Sequence, residues 1–238
     1  MDRSLPSNPK HKSAQLWRRW RMASFKKYYQ TIYQTFGYPL SKSTALPSKV
    51  LTAAEKRLGL RIPAALRDYY LVAGRERRFS ACHNRLLPPA KWSVNKDRLI
   101  FMEENQRVVW WGVSTRNLRS DDPPVSQGIN DEPITWHPEH RKCSVFLAVM
   151  LHYQAACGGF RFCGGADAPD QSNYRFDEHG WTHFGAVNSL LVYSRQNQVV
   201  CLMPPGDLPF IEKWTILAGG KRKADLQTIG ADLGVTVK

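Results

Sequence analysis

The chain is short of acid. Its 34 lysines and arginines face only 20 aspartates and glutamates, a net charge of +14 across 238 residues. Long hydrophobic runs are missing too. The longest strongly apolar stretch, residues 145–151, falls far below the ~20 residues a membrane-spanning helix needs. No apolar segment follows the basic N-terminal residues as a secretory leader would require, so the expected compartment is the cytoplasm. Cysteine is sparse and irregular: Cys82, Cys143, Cys157, Cys163 and Cys201. An odd number with no CxxC pair excludes a disulfide-stapled miniprotein and does not form the paired ligand pattern of a zinc site. Reduced thiols are expected.

Catalytic patterns are equally thin. No HExxH, GxSxG or phosphate-binding glycine loop occurs, and the pairs Gly158-Gly159 and Gly164-Gly165 follow no such spacing. Cys82-His83-Asn84 sets a thiol beside an imidazole, but a nucleophile and its base are normally assembled from distant positions. Glu103 and Glu104 are adjacent in a polar connection, where carboxylates are solvated. The expectation is a non-catalytic protein without metal or cofactor.

What is present begins with the placement of the positive charge. Residues 1–47 hold nine basic residues against Asp2 alone, whereas residues 157–238 hold eight of each sign. A basic arm joined to a more balanced body is implied. The arm interleaves Trp17, Arg18, Arg19, Trp20, Arg21, Phe25, Lys26, Lys27, Tyr28 and Tyr29. Such a mixture suits a nucleic acid or another anionic partner, with Trp17, Arg18, Arg19, Arg21, Lys26 and Lys27 as contacts. It equally suits an anionic membrane surface or a helix packed on its own domain, since Phe25, Tyr29, Ile32 and Phe36 recur at helical spacing.

Helical period marks residues 14–36, then a segment from Pro47 stopped by Gly59, then one opened by Pro63 and ended by Gly74. The period then shortens. Residues 98–102 and 107–113 read as strands joined by Glu103-Glu104-Asn105-Gln106, Asp121 to Pro124 as a loop, residues 134–136 as a short strand, and 144–156 as a helix. Beyond it, residues 174–176, 181–184, 189–193 and 199–203 resemble strands, and Leu226, Ile229 and Leu233 suggest a closing helix. Strands follow strands, so an antiparallel α+β fold is favoured.

Several of these pieces occur in a recognisable order. They are Leu58-Gly59 leading to Ile62-Pro63, then Tyr69-Tyr70 and Gly74; Glu104-Asn105-Gln106 followed by Trp110; Asp122-Pro123-Pro124-Val125; and Trp136 followed by Ser144, Phe146 and Leu147. Over residues 48–156 this order resembles the SUKH superfamily. The resemblance implies N-terminal helices packed on a curved antiparallel sheet, with residues 157–238 as further strands of that sheet or a small extension. It also implies binding rather than catalysis. Bacterial members are often immunity proteins that neutralise a cognate toxin, and yeast relatives of the Smi/Knr type regulate cell-wall synthesis through protein contacts. Immunity proteins against basic nucleases are commonly acidic. The basic charge here points instead to an acidic toxin or a scaffold role.

Within that frame the expected partner-binding residues are Glu103, Glu104, Asn105, Gln106, Trp111, Asp122 and Trp136. Amides both donate and accept, so they read a partner's backbone, and tryptophans supply anchor area. Because strand neighbours alternate faces, either Trp110 or Trp111 must point inward.

Overall fold

A computed structural model describes residues 24–168, 174–205 and 213–238. Trp17, Arg18, Arg19 and Arg21 lie outside these residues. The first helix, α1 (Phe25–Thr35), starts where the Ser24 side chain accepts a hydrogen bond from the Lys27 amide. Its Tyr29, Ile32, Tyr33 and the following Phe36 are fully buried, the stripe that the periodicity predicts. The Pro47 and Pro63 signals open α2 (Ser48–Leu58) and α3 (Ala64–Ala73). Gly59 stops α2 with φ of 66°, a left-handed conformation that glycine adopts without a Cβ penalty.

Six short strands follow: β1 (Arg85–Leu86), β2 (Ser93–Asn95), β3 (Arg98–Glu103), β4 (Val109–Ser114), β5 (Val125–Ile129) and β6 (Thr135–His140). They form one antiparallel sheet in the order β1-β3-β4-β5-β6, with β2 also paired to β3. The chain then enters α4 (Cys143–Gln154). Eleven of its twelve residues are buried, so this helix is not amphipathic and must be covered on all sides. Phe101 and Trp111 of the first sheet pack on Phe146, with ring centroids 5.9 Å apart in each case. On the far side lies a second sheet.

That second sheet corrects the sequence expectation. Residues 157–238 do not extend the first sheet. They build a separate antiparallel one in the order β7-β11-β10-β9-β8, from β7 (Phe162–Ala168), β8 (Thr182–Val187), β9 (Leu190–Arg195), β10 (Gln198–Met203) and β11 (Trp214–Gly220). Val187, Val192, Val199 and Cys201 on one face join the same core as α1, α3 and α4. Val200, Leu202, Ile216 and Ala218 pack in a second cluster with Ile229 and Leu233 of the closing helix α5 (Lys223–Leu233). The layers are therefore sheet, helices, sheet, helix.

Residues 174–176 are not a strand. Phe176 instead stacks flat on Tyr193, centroids 3.9 Å apart, so the aromatics that imitate a strand serve as a plug on the second sheet. Among the described residues no helix is long and apolar enough to cross a membrane.

Candidate docking face

The seven expected partner-binding residues do not form one surface. Trp111 is the inward tryptophan. It is only 7% exposed, sits against Phe146, and its indole N–H donates to Glu139 Oε1 at 3.2 Å. Its place as a surface anchor is withdrawn. Register decides this. Trp111 pairs with Met102 and Gln127 on the helix-facing side, whereas Trp110 pairs with Glu103 and Gly128 on the other.

Asp122 is committed to the fold as well. Its two carboxylate oxygens accept from the Ser144 amide and hydroxyl, both at 2.7 Å. It thereby caps α4 from another segment and places negative charge at the helix N-terminus.

The connecting turn is partly self-satisfied. Glu104 Oε2 accepts from the Gln106 amide at 2.7 Å and the Val108 amide at 3.4 Å, which closes the β3–β4 hairpin. Glu103 lies between Arg85, at 2.9 Å, and Arg107, at 3.8 Å. The Asn105 side-chain amide reaches the His83 ring at 3.3 Å, and its backbone amide donates to Asn84 Oδ1. Gln106 is exposed.

Trp136 belongs to the outer face of the first sheet. One cross-strand row there runs Glu103, Trp110, Gly128, Trp136. Gly128 is needed because the Trp136 ring lies over it; a Cβ would come within 2.9 Å of that ring. The Arg98 guanidinium sits 6.0 Å from the Trp136 ring, and its Nε donates to Ser126 Oγ at 3.3 Å. Trp110 and Trp136 are both partly buried, packing against the main core while keeping some exposed surface. The Trp136 indole nitrogen itself is shielded and has no acceptor among the described residues. The outer face thus presents two flat aromatic anchors with a basic group beside them and the amide-bearing turn at one end. Trp110 was discernible in the sequence as one of an alternating pair; the choice between the two was not.

Of the expected anionic-partner contacts, Lys26 and Lys27 fall within α1. Lys26 is 4.0 Å from Asp68, and Lys27 is exposed.

The five cysteines are free thiols. Burial pushes Cys82 and Cys157 up to about 11, and Cys143 and Cys201 well above the ordinary thiol range. The Cys82 thiol donates to the Gln154 carbonyl at 3.2 Å rather than to His83, whose ring packs on Tyr153. Among the described residues no group of three or more His, Cys, Asp or Glu side chains is arranged to hold a metal ion.

Comparisons with protein-family models, with curated proteins and with solved structures found no match.

Proposed function

We infer that the chain is a non-catalytic protein-docking module of SUKH-like kind, acting as an immunity protein against a toxin or as a regulatory scaffold. The contact surface is the outer face of the first sheet, centred on Trp110 and Trp136 and extended by Gln106 and Asn105. One observation carries this reading. One face of that sheet is packed on α4, while the other keeps a cross-strand row with two partly exposed tryptophans. Aromatic anchors of this type dominate interface energetics because they bury large area at little entropic cost. The net charge of +14 favours an acidic partner, which it would steer into contact.

The test uses the tagged full chain to capture a partner from its host, followed by titration with the purified partner. Trp110→Ala is expected to weaken binding by roughly 30-fold, the scale of an anchor loss. Trp111→Phe, an inward change, leaves affinity unaltered. Unchanged affinity in both Trp110→Ala and Gln106→Ala would remove this surface from consideration.

A further inference from the structure

A second surface lies away from the tryptophan row. An open cleft of about 580 Å³ is lined by Thr44, Arg75, Arg77, Arg78, Cys82 and Gly158, among others. The three arginines come from the segment that follows α3, and all three are exposed. The one carboxylate in that run, Glu76, lines the same cleft. It accepts from the Arg78 amide at 2.7 Å, the Phe79 amide at 3.1 Å and the Tyr33 hydroxyl at 3.2 Å, so it is used in closing the turn. Among the described residues, none of the three guanidinium groups has a carboxylate partner. Most other arginines among the described residues do, including Arg61, Arg67, Arg85, Arg98, Arg107 and Arg116.

The other wall adds room and no negative charge. Gly158 has φ of 114°, and a Cβ there would meet nothing within 4 Å, so the backbone borders open space. The Cys82 thiol, held protonated by burial, contributes no anion. Arg78 and Lys221 each lie 4.5 Å from the Tyr38 ring, and Lys221 Nζ also donates to the Gly37 carbonyl at 2.9 Å.

We propose that this cleft binds an acidic peptide segment of a partner protein, its Asp and Glu carboxylates engaged by Arg75, Arg77 and Arg78. Planar guanidinium forks match carboxylates in a bidentate manner. The volume suits a few residues of extended chain rather than a single small anion. A single-stranded nucleic acid fits less well. Stacking needs a free aromatic face, but no aromatic side chain is among the residues lining the cleft, and Tyr38, on which Arg78 packs, is already engaged by Arg78, Lys221 and Phe79. This inference is independent of the tryptophan face, because its site shares no residue with it.

The experiment is fluorescence anisotropy of a labelled dodecapeptide of Glu and Asp, titrated with the full chain at two salt concentrations. Binding that weakens with salt is expected. The triple change Arg75→Ala, Arg77→Ala and Arg78→Ala should weaken it roughly tenfold or more, each exposed pair contributing modestly. Replacing the same three by lysine should recover only part, because charge returns without the fork. A control triple, Lys49→Ala and Lys56→Ala on α2 with Lys91→Ala in the turn between β1 and β2, removes equal charge elsewhere and should leave binding nearly intact. Equal losses from the two alanine triples would overturn the proposal, since net charge alone would then be acting. So would a single-stranded oligonucleotide that displaces the peptide at lower concentration and itself requires the three arginines.

Discussion

Mild acid should loosen the junction between α4 and the second sheet, and His152 sets by how much. Its ring is fully buried. Nδ1 lies 2.7 Å from the Ala148 carbonyl, which only accepts, so Nδ1 bears the hydrogen and Nε2 accepts from the Ser194 hydroxyl at 3.0 Å. Phe36 and Phe184 flank the ring at 4.9 and 4.7 Å. Burial lowers its pKa from 6.5 to about 4. Above pH 6.5 the imidazole is neutral in both the folded and unfolded chain. As pH falls below 6.5 the unfolded chain takes up the proton and the folded one does not, so stability declines until the folded form also titrates near 4. Integrated over that window, the loss is about 2 kcal/mol at pH 5 and approaches about 3 kcal/mol near pH 4. His183 is shifted in the same direction by burial. The assay is urea unfolding of the wild type and of His152→Gln from pH 7.5 to 4.5. Gln retains a donor and an acceptor but does not titrate. The variant should start less stable, through lost ring packing, yet its stability should fall less with acid by about 2 kcal/mol at pH 5. Contributions from the carboxylates are common to both and cancel in the difference, whereas the charge on His183 bears directly on His152 and is part of what the difference reports. Parallel stability–pH profiles would refute the reasoning.

Trp111→Ala should cost about 3–5 kcal/mol of stability by urea unfolding, as expected for an aromatic removed from a packed core, and Trp110→Ala clearly less. Asp122→Ala removes both bonds to Ser144 at the start of α4 and should cost about 1–2 kcal/mol in the same assay, with Asp122→Asn recovering part. Ellman's reagent at pH 7.5 should find at most one thiol in the folded chain, the solvent-exposed Cys82, and that one slow, against five after denaturation; a fast stoichiometric reaction in the native state would contradict the raised thiol pKa values.

The helices were legible in the sequence because their punctuation is local. Pro47, Gly59, Pro63 and Gly74 mark boundaries that the structure keeps to within a residue. Three of the strands that went unseen, β5, β7 and β11, carry glycines where close tertiary contact leaves no room for a side chain. β5 reads Val-Ser-Gln-Gly-Ile because Trp136 needs the space over Gly128. β7 contains Gly164 and Gly165, where the C-terminal residue pairs back onto the strand: the Gly165 amide donates to the Lys238 carbonyl at 2.9 Å, and the Lys238 amide to Gly165 at 3.0 Å. In β11, Gly219 admits the turn after α4, and a Cβ there would lie 2.8 Å from the Ala155 carbonyl. β-propensity depends on what a strand packs against, and these strands pack at close range against a tryptophan ring in β5 and against backbone in β7 and β11. The site was legible in composition but not in direction. A register shift between Ile100 and Met102 helps set which of Trp110 and Trp111 faces out, and that shift carries no mark in the local sequence. The arginine cleft was invisible because its two walls are some eighty residues apart in the chain.

Because α4 is walled by sheets on both sides, residues 48–156, which carry the motif order, do not make a separable unit. A fragment cut after Gln154 would turn to water the flank where Val145 and Val149 sit against Gly185 and His152 meets Ser194. The later strands are thus the missing half of this helix's burial. Any swap of one half for that of another protein must carry a matching opposite half with it.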